Sequence, residues 1–274
     1  MPSLAQHQSN DFTKMLIMGD SGSGKTGALT SLVTAGYNLR ILDMDNGLET
    51  LKQFVLQQAP DRIGSIEYRT LRDAYKATPE GPVVSRPTAF VDAIKMLDRW
   101  KYDDVDLGPP SEWGSECLLV IDSLTFLSDS AFAWARGLAP GNKDPRQWYG
   151  TAQDAIEKVL ALLTSPNFKT NVIVIAHVKY IEREDGTTKG YPTSVGSALS
   201  PQIPRYFNSV ALCQTKTGGK RTIQTVATAM IDLKNPKPFE MLPSYPLEIG
   251  LVDFFRVLRK PPTQTQPANI RKLR

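Results

Sequence analysis

Apolar residues in this chain gather in short unbroken runs, separated by longer stretches in which they recur every three or four positions. The runs at 14–18 (KMLIM), 38–44 (NLRILDM), 65–71, 116–122 (ECLLVID) and 170–176 (TNVIVIA) predict buried strands. The longer-period stretches predict helices at 26–34, from near Leu48, at 88–101 with Phe90, Ile94, Leu97 and Trp100 or Lys101 on one side, at 124–137 and at 146–164. Loops are expected around Pro79, Pro82 and Pro87, over 102–114 and over 138–145 (LAPGNKDP). Farther on, Asp185-Gly186 centres a hairpin within 179–191, and Pro201 and Pro204 predict short or kinked helices in 191–207. Runs at 209–215, 221–227 and 229–233 predict an antiparallel meander extending the sheet, the first two joined by a basic turn at 216–221. A last helix is expected at 251–258. This alternation makes an α/β chain, read as one domain over 13–260 between a flexible segment at 1–12 and a disordered tail at 261–274.

Composition adds limits. With 274 residues, 41% of them hydrophobic, the chain has material for a sizeable core. No apolar run reaches the roughly 18 residues of a membrane span, and residues 1–12 lack the basic and apolar regions of a signal peptide. The expectation is a soluble, cytoplasmic protein with no membrane partner. Cys117 and Cys213 lie in strand-like runs without CxxC spacing, so they are expected to pack rather than to pair or bind metal. The net charge of +4 is unevenly placed: Arg256, Arg259, Lys260, Arg271, Lys272 and Arg274 follow Asp253 with no acid among them, leaving the rest at −2. A basic tail on a near-neutral body suits either weak contact with nucleic acid or solubility.

The chemistry centres on Gly19-Asp20-Ser21-Gly22-Ser23-Gly24-Lys25-Thr26, which fits G-x-x-x-x-G-K-[ST] at every fixed position. Glycines there let consecutive backbone N–H groups converge on phosphate oxygens at a helix N-terminus, whose dipole favours negative charge. Gly27 closes the same stretch. Lys25 is expected to reach the β- and γ-phosphates of ATP, and the Thr26 hydroxyl to ligate Mg²⁺. The strand at 116–122 ends in Asp122, the form of a Walker B segment whose carboxylate holds Mg²⁺ or its water. ATPases of the AAA type usually carry Glu directly after that Asp; Ser123 cannot act as a base, which sets this chain apart from them. The base is therefore sought at the end of the second strand, with Asp45 first and Glu49 second. His177, at the end of the strand at 170–176, is placed to sense the γ-phosphate. Around the loop at 138–145, Trp134, Arg136, Lys143, Arg146, Trp148 and Tyr149 mix rings with positive charge, suited to stacking bases and neutralising phosphates of a single strand.

With these parts in this order, the chain resembles the RecA-like recombinase core over about 13–251: the phosphate loop, a strand ending Asp43-Met44-Asp45, Ile121-Asp122-Ser123, then a strand ending in a polar sensor. More narrowly it resembles small phage-type ATP-binding proteins that act in single-strand annealing or recombination. The resemblance implies a P-loop fold with a mostly parallel central sheet, flanking helices and a C-terminal antiparallel extension. It also implies a DNA-stimulated ATPase that binds single-stranded DNA and forms a homo-oligomer, ring or filament, with ATP near subunit interfaces. A single-strand-binding protein is a further implied partner, and a phage-infected bacterial cell the implied setting. Two DNA contacts follow from it. One is the loop after the sensor, with Lys179, Tyr180, Arg183 and Lys189 and closed by Gly196-Ser197-Ala198-Leu199; the other lies near Arg136, Lys143 and Arg146. Asp45 stands where the family usually has Glu, and His177 where it usually has Gln, which would make the sensor pH-dependent. Lys234-Asn235-Pro236-Lys237-Pro238-Phe239 resembles a family segment that points lysines into a neighbour's nucleotide site, so Lys234, and less directly Lys237, are implied to act in trans. Two classes remain open: a DNA-dependent ATPase that promotes annealing or strand exchange, and an ATP-dependent switch or assembly protein without DNA activity.

Overall fold

The computed structural model describes residues 11–139, 141 and 144–260. In chain order the strands are β1 (Lys14–Gly19), β2 (Asn38–Asp43), β3 (Ile66–Thr70), β4 (Ala74–Thr78), β5 (Gly81–Arg86), β6 (Lys101–Tyr102), β7 (Val105–Asp106), β8 (Gly114–Asp122), β9 (Thr170–Glu182), β10 (Thr188–Pro192), β11 (Ser209–Thr215), β12 (Arg221–Gln224) and β13 (Ser244–Pro246). The helices are α1 (Lys25–Ala28), α2 (Thr30–Thr34), α3 (Glu49–Gln58), α4 (Ala89–Asp98), α5 (Leu124–Leu138), α6 (Pro145–Thr164) and α7 (Leu247–Arg259).

A nine-stranded sheet in the order β13-β12-β11-β1-β9-β8-β2-β3, with β10 added to β9, forms the middle layer. From β11 to β3 every pairing is parallel. β12 and β13 continue it antiparallel, the expected C-terminal extension. Parallel strands need both faces covered, and β1 shows how the sequence does this. Leu16 and Met18 join a core with α4, α5 and α6, whereas Met15 and Ile17 join a second core with α1, α2, α3 and α7. The register aligns the strand ends: Gly19 lies beside His177, and Asp122 beside Asp43. One carboxyl edge of the sheet therefore collects the glycine-rich loop after β1, two acids and His177.

Several expectations change in detail. The helix after the phosphate loop is broken into α1 and α2 around Leu29. α4 ends at Asp98 and buries Phe90, Ala93, Met96 and Leu97, leaving Ile94 37% exposed; Trp100 is buried beyond the helix end. The expected proline loop forms the β4–β5 hairpin, and 102–114 contains the small β6–β7 ribbon. β9 runs on past His177 to Glu182 and pairs with β10, giving the hairpin centred on Asp185-Gly186. Residues 229–233 form no strand, because β13 already occupies the free edge of β12; Ile231 makes only single bridges to Gly190 and Thr228. The segments 1–10 and 261–274 lie outside the described residues, and with them Arg271, Lys272 and Arg274; Arg256 and Arg259 of the basic stretch belong to α7, and Lys260 follows it directly.

Candidate functional site

The turn from β1 into α1 needs backbone that only glycine adopts freely. Gly22 and Gly24 have φ of 76° and 94°. A Cβ on Gly24 would also lie 2.5 Å from Leu247 Cδ2, so the loop is held against the start of α7. Lys25 opens α1, and its ammonium donates to the carbonyls of Gly19 (2.9 Å) and Asp20 (2.8 Å). Burial draws its pKa below the usual lysine value, while the charges of Asp122, Asp20 and Asp45 work against that. Thr26 Oγ1 donates to Asp122 Oδ2 at 2.7 Å, joining two motifs 96 positions apart. The peptide bond that follows, Asp122–Ser123, is cis. Asp122 is 2% exposed, and burial, then the neighbouring charge of Asp45, raises its pKa to about 7.

Beyond β2 the chain turns through Asn46, at φ 61°, and brings the Asp45 side chain to the same cavity. Asp43 is locked as a structural acid, accepting from Thr70 Oγ1 (2.7 Å) and Gly47 N (3.2 Å). Asp45 differs: its Oδ1 is buried and, among the described residues, takes no hydrogen bond, and burial followed by the charge of Asp43 raises its pKa. Glu49 does not share this setting. Its carboxylate is exposed, accepts from Gln53 (2.7 Å) and Lys52 (3.5 Å), and does not line the cavity. Of the two candidate bases, the fold brings only Asp45 to the phosphate loop.

His177 lines the cavity from β9. Its backbone N–H donates to Thr125 Oγ1 (3.1 Å) and its carbonyl accepts from Thr193 N (2.7 Å), which ties His177 to α5 and to the segment after β10. Burial, then the charge of Lys25, holds its pKa below the ordinary histidine value, so the ring is neutral at pH 7. Arg72 was not foreseen from the sequence: it donates to the Asp45 carbonyl (2.9 Å) and lies 5.5 Å over the Phe126 ring. That ring in turn meets His177 edge-on, 6.2 Å between centroids.

These groups surround about 230 Å³ of space. The phosphate loop from Ser21 to Gly27 lines it together with Asp45, Gly47, Thr50, Asp122 and His177, and with Arg221, also unforeseen. The fit to a nucleoside triphosphate with Mg²⁺ rests on three features: a loop turned through left-handed backbone at Gly22 and Gly24, the Thr26–Asp122 pair, and a buried carboxylate oxygen on Asp45 without a partner among the described residues. Among the described residues no group of three or more His, Cys, Asp or Glu is arranged to hold a metal alone. Mg²⁺ suits such a site, since it is commonly held by one or two protein oxygens plus substrate phosphates.

The high pKa of Asp122 has a testable consequence. Its folded value, about 7, lies above the ordinary aspartate value of 3.8, so the ionised form is penalised by folding. That penalty is absent below pH 4, grows from there to pH 7 and is full above it. Without Mg²⁺, Asp122→Asn is expected to stabilise the protein at pH 8 by on the order of 1–2 kcal/mol, the gain vanishing towards pH 4. Melting curves across pH for both proteins check this; an unchanged difference at pH 4 and pH 8 would refute it.

The residues suited to DNA are divided. Arg136, Trp148, Tyr149 and Gly196 border one groove of about 1120 Å³ between the β4–β5 hairpin and α5 and α6. Phe132 packs against Tyr149 (4.6 Å) and Trp148 (6.5 Å), and Arg136 lies 5.6 Å over the Trp148 ring. Tyr149 remains 42% exposed, whereas Trp134 is packed against Phe90 at 5.1 Å. Arg146 is exposed beside Asp144 at 3.1 Å, and Lys143 lies outside the described residues. On the hairpin, Tyr180 is 48% exposed, Lys179 donates to the Gly196 carbonyl (3.2 Å) and Arg183 to the Tyr191 hydroxyl (2.8 Å). Lys189 departs most from expectation: its side chain is only 15% exposed and ion-paired to Asp232 at 2.5 Å, a position for structure rather than phosphate contact. Lys234 is exposed and does not line its own chain's cavity. Lys237 is engaged at home, donating to the Lys260 carbonyl with Glu240 4.0 Å away.

A family model described as an AAA domain matches residues 11–236. This corrects the distinction drawn from Ser123, because the match holds although serine follows Asp122. A search of curated proteins finds no match. Among solved structures, the RadB recombinase is similar at 17% identity and a TM-score of 0.46, covering 87% of this chain and 89% of that one. A type III secretion system ATPase of pathogenic bacteria is similar at 17% identity and 0.41, covering 73% and 51%. EscN of enteropathogenic E. coli, solved with its stalk EscO, is similar at 15% and 0.40, covering 74% and 42%. Likenesses this distant say nothing of activity or partners.

Proposed function

The chain belongs to the AAA domain family, with a mostly parallel central sheet, and on that premise we propose that it is a RecA-like P-loop ATPase that hydrolyses ATP to ADP and phosphate as a DNA recombination protein. The observation that carries the ATPase reading is the 2.7 Å Thr26–Asp122 contact in a cavity that also holds Lys25 and the unpaired carboxylate oxygen of Asp45. In this reading the loop from Gly19 to Gly27 holds the phosphates, Thr26 and Asp122 hold Mg²⁺, Asp45 takes a proton from the attacking water, and His177 senses the γ-phosphate. Mg²⁺, when bound, supplies positive charge against the phosphate oxygens.

We assign single-stranded DNA as the activating partner, bound at the groove bordered by Arg136, Trp148 and Tyr149 and by the exposed face of the β9–β10 hairpin at Tyr180. Rings with a cation beside them suit unstacked bases, and the outcome of binding is annealing or strand exchange. ATP turnover should rise when single-stranded DNA is added. Binding of a labelled oligonucleotide with ATP and Mg²⁺ should weaken with salt at a slope of roughly −0.7 per phosphate contact. An absence of binding at low salt would favour a second reading, an ATP-dependent switch or assembly protein without DNA activity. One observation supports that second reading: Lys179, Arg183 and Lys189 all spend their hydrogen bonds or charge within the chain.

The working form we propose is a homo-oligomer, ring or filament, in the cytoplasm, with a single-strand-binding protein as a further partner; among the described residues no helix is long and apolar enough to cross a membrane. Lys234 would enter the neighbour's nucleotide site and stabilise charge on the γ-phosphate oxygens only once the assembly forms. Its exposure, against the internal engagement of Lys237, makes it the better donor of the two. Mixing Lys234→Ala protein with Lys25→Ala protein should restore part of the ATPase activity that each lacks alone. No recovery in mixtures shown to co-assemble would exclude a lysine acting in trans.

A further inference from the structure

Arg221 opens β12, on the far side of the basic turn from β11. In the structure it lies against the phosphate loop: a Cβ on Gly24 would come within 3.1 Å of Arg221 Cδ, and the residue forms part of the nucleotide cavity wall. Its side chain is exposed and, among the described residues, has neither an ion pair nor a side-chain hydrogen bond. A guanidinium free of partners at a phosphate-binding wall presents several N–H donors in a fixed plane, the geometry that suits phosphate oxygens.

Sheet order locates the part of the nucleotide it addresses. The strands carrying His177, Asp122 and Asp43, the last leading to Asp45, lie on one side of β1 in the order β9, β8, β2. β11 and β12 lie on the other side. Arg221 therefore approaches the loop from the flank opposite the carboxylates. The γ-phosphate belongs with the acids, the sensor and the attacking water, which leaves Arg221 the phosphates held by the loop itself. The absence of a side chain at Gly24 is what permits the approach.

We propose that Arg221 is a second cation for the nucleotide, supplied by the same chain, that binds the α- and β-phosphates of ATP and ADP alike. This rests on the phosphate loop being an ATP site and adds to it a residue outside the motif. Because its partner groups are present in the substrate as much as in the transition state, the interaction supports affinity rather than turnover. It also gives each subunit nucleotide affinity independent of assembly, in contrast to the neighbour's Lys234.

The test is calorimetric titration of ATP and ADP into wild-type, Arg221→Ala and Arg221→Lys proteins, with steady-state kinetics on the same preparations and circular dichroism to verify folding. Arg221→Ala should weaken ATP and ADP by the same factor, about tenfold, as expected for one charge-assisted contact at an exposed site. The kinetic loss should fall on KM rather than kcat, and Arg221→Lys should recover part of it. Unchanged affinities in a folded Arg221→Ala protein overturn the proposal and leave the ATP site standing. A loss confined to ATP overturns it too, by placing Arg221 at the γ-phosphate. A wild-type protein that binds neither nucleotide overturns both this proposal and the ATP reading beneath it.

Discussion

Lys25→Ala is expected to abolish ATP hydrolysis in a protein that keeps its fold. The lysine sits on the phosphate loop at the start of α1, and in the structure its ammonium serves only two loop carbonyls, Gly19 and Asp20. Removing those hydrogen bonds costs about 1 kcal/mol each, partly offset because a buried charge is removed with them. Neither core loses an apolar side chain. The chemistry loses far more, since a cation fixed beside the β- and γ-phosphates contributes where charge develops during transfer, and deleting a preorganised electrostatic donor costs roughly 10²–10³ in rate. Phosphate release and circular dichroism, measured on one preparation, decide the matter. Normal turnover by a folded Lys25→Ala protein would end the phosphate-loop reading.

Asp45→Asn should slow hydrolysis by about 10²–10⁴-fold while sparing nucleotide binding, because a base is needed only for the water. Binding is expected to hold or tighten, as the substitution removes a negative charge facing Asp122 and the phosphates. The pH profile carries the same signature. Burial and Asp43 raise the pKa of Asp45, and the base works only when ionised. The rate of the wild-type enzyme should therefore rise with pH across a range above that of an ordinary aspartate. His177, held below the ordinary histidine value, adds no further loss of activity above neutral pH. Glu49→Gln is the control, with its carboxylate in solvent and bonded to Gln53 and Lys52. A slow Glu49→Gln protein beside an unaffected Asp45→Asn protein would reverse the assignment.

How far the site was legible follows from where its chemistry is encoded. The phosphate loop is a contiguous motif whose glycines, lysine and threonine must follow one another for backbone N–H groups to converge, so eight adjacent letters suffice to find it. Asp122 was found because a buried apolar run closed by an acid is also local. Arg72 and Arg221 escaped notice because nothing near them in the chain differs from an ordinary surface arginine. Their significance comes from Asp45 and Gly24, 27 and 197 positions away. Lys189 misled for the same reason: it looks like a free cation in sequence, and only folding brings Asp232 to it.

The sequence by itself determined the α/β alternation, the buried strands and the phosphate loop, because each follows from short-range periodicity or from residues that are neighbours in the chain. Elements without such a signal needed the tertiary structure. The β4–β5 hairpin carries mostly exposed side chains around Pro82 and so shows no apolar alternation to read. Residues 229–233 have the apolar run of a strand but no edge to join, since β13 holds the one beside β12. Strand order decided the rest. By placing β9, β8 and β2 on one side of β1 and β11 and β12 on the other, it sets Asp45, Asp122 and His177 against one flank of the phosphate loop and Arg221 against the opposite one. Pairing between strands distant in sequence is governed by which faces and edges remain to be buried, a property of the whole chain that no local window contains.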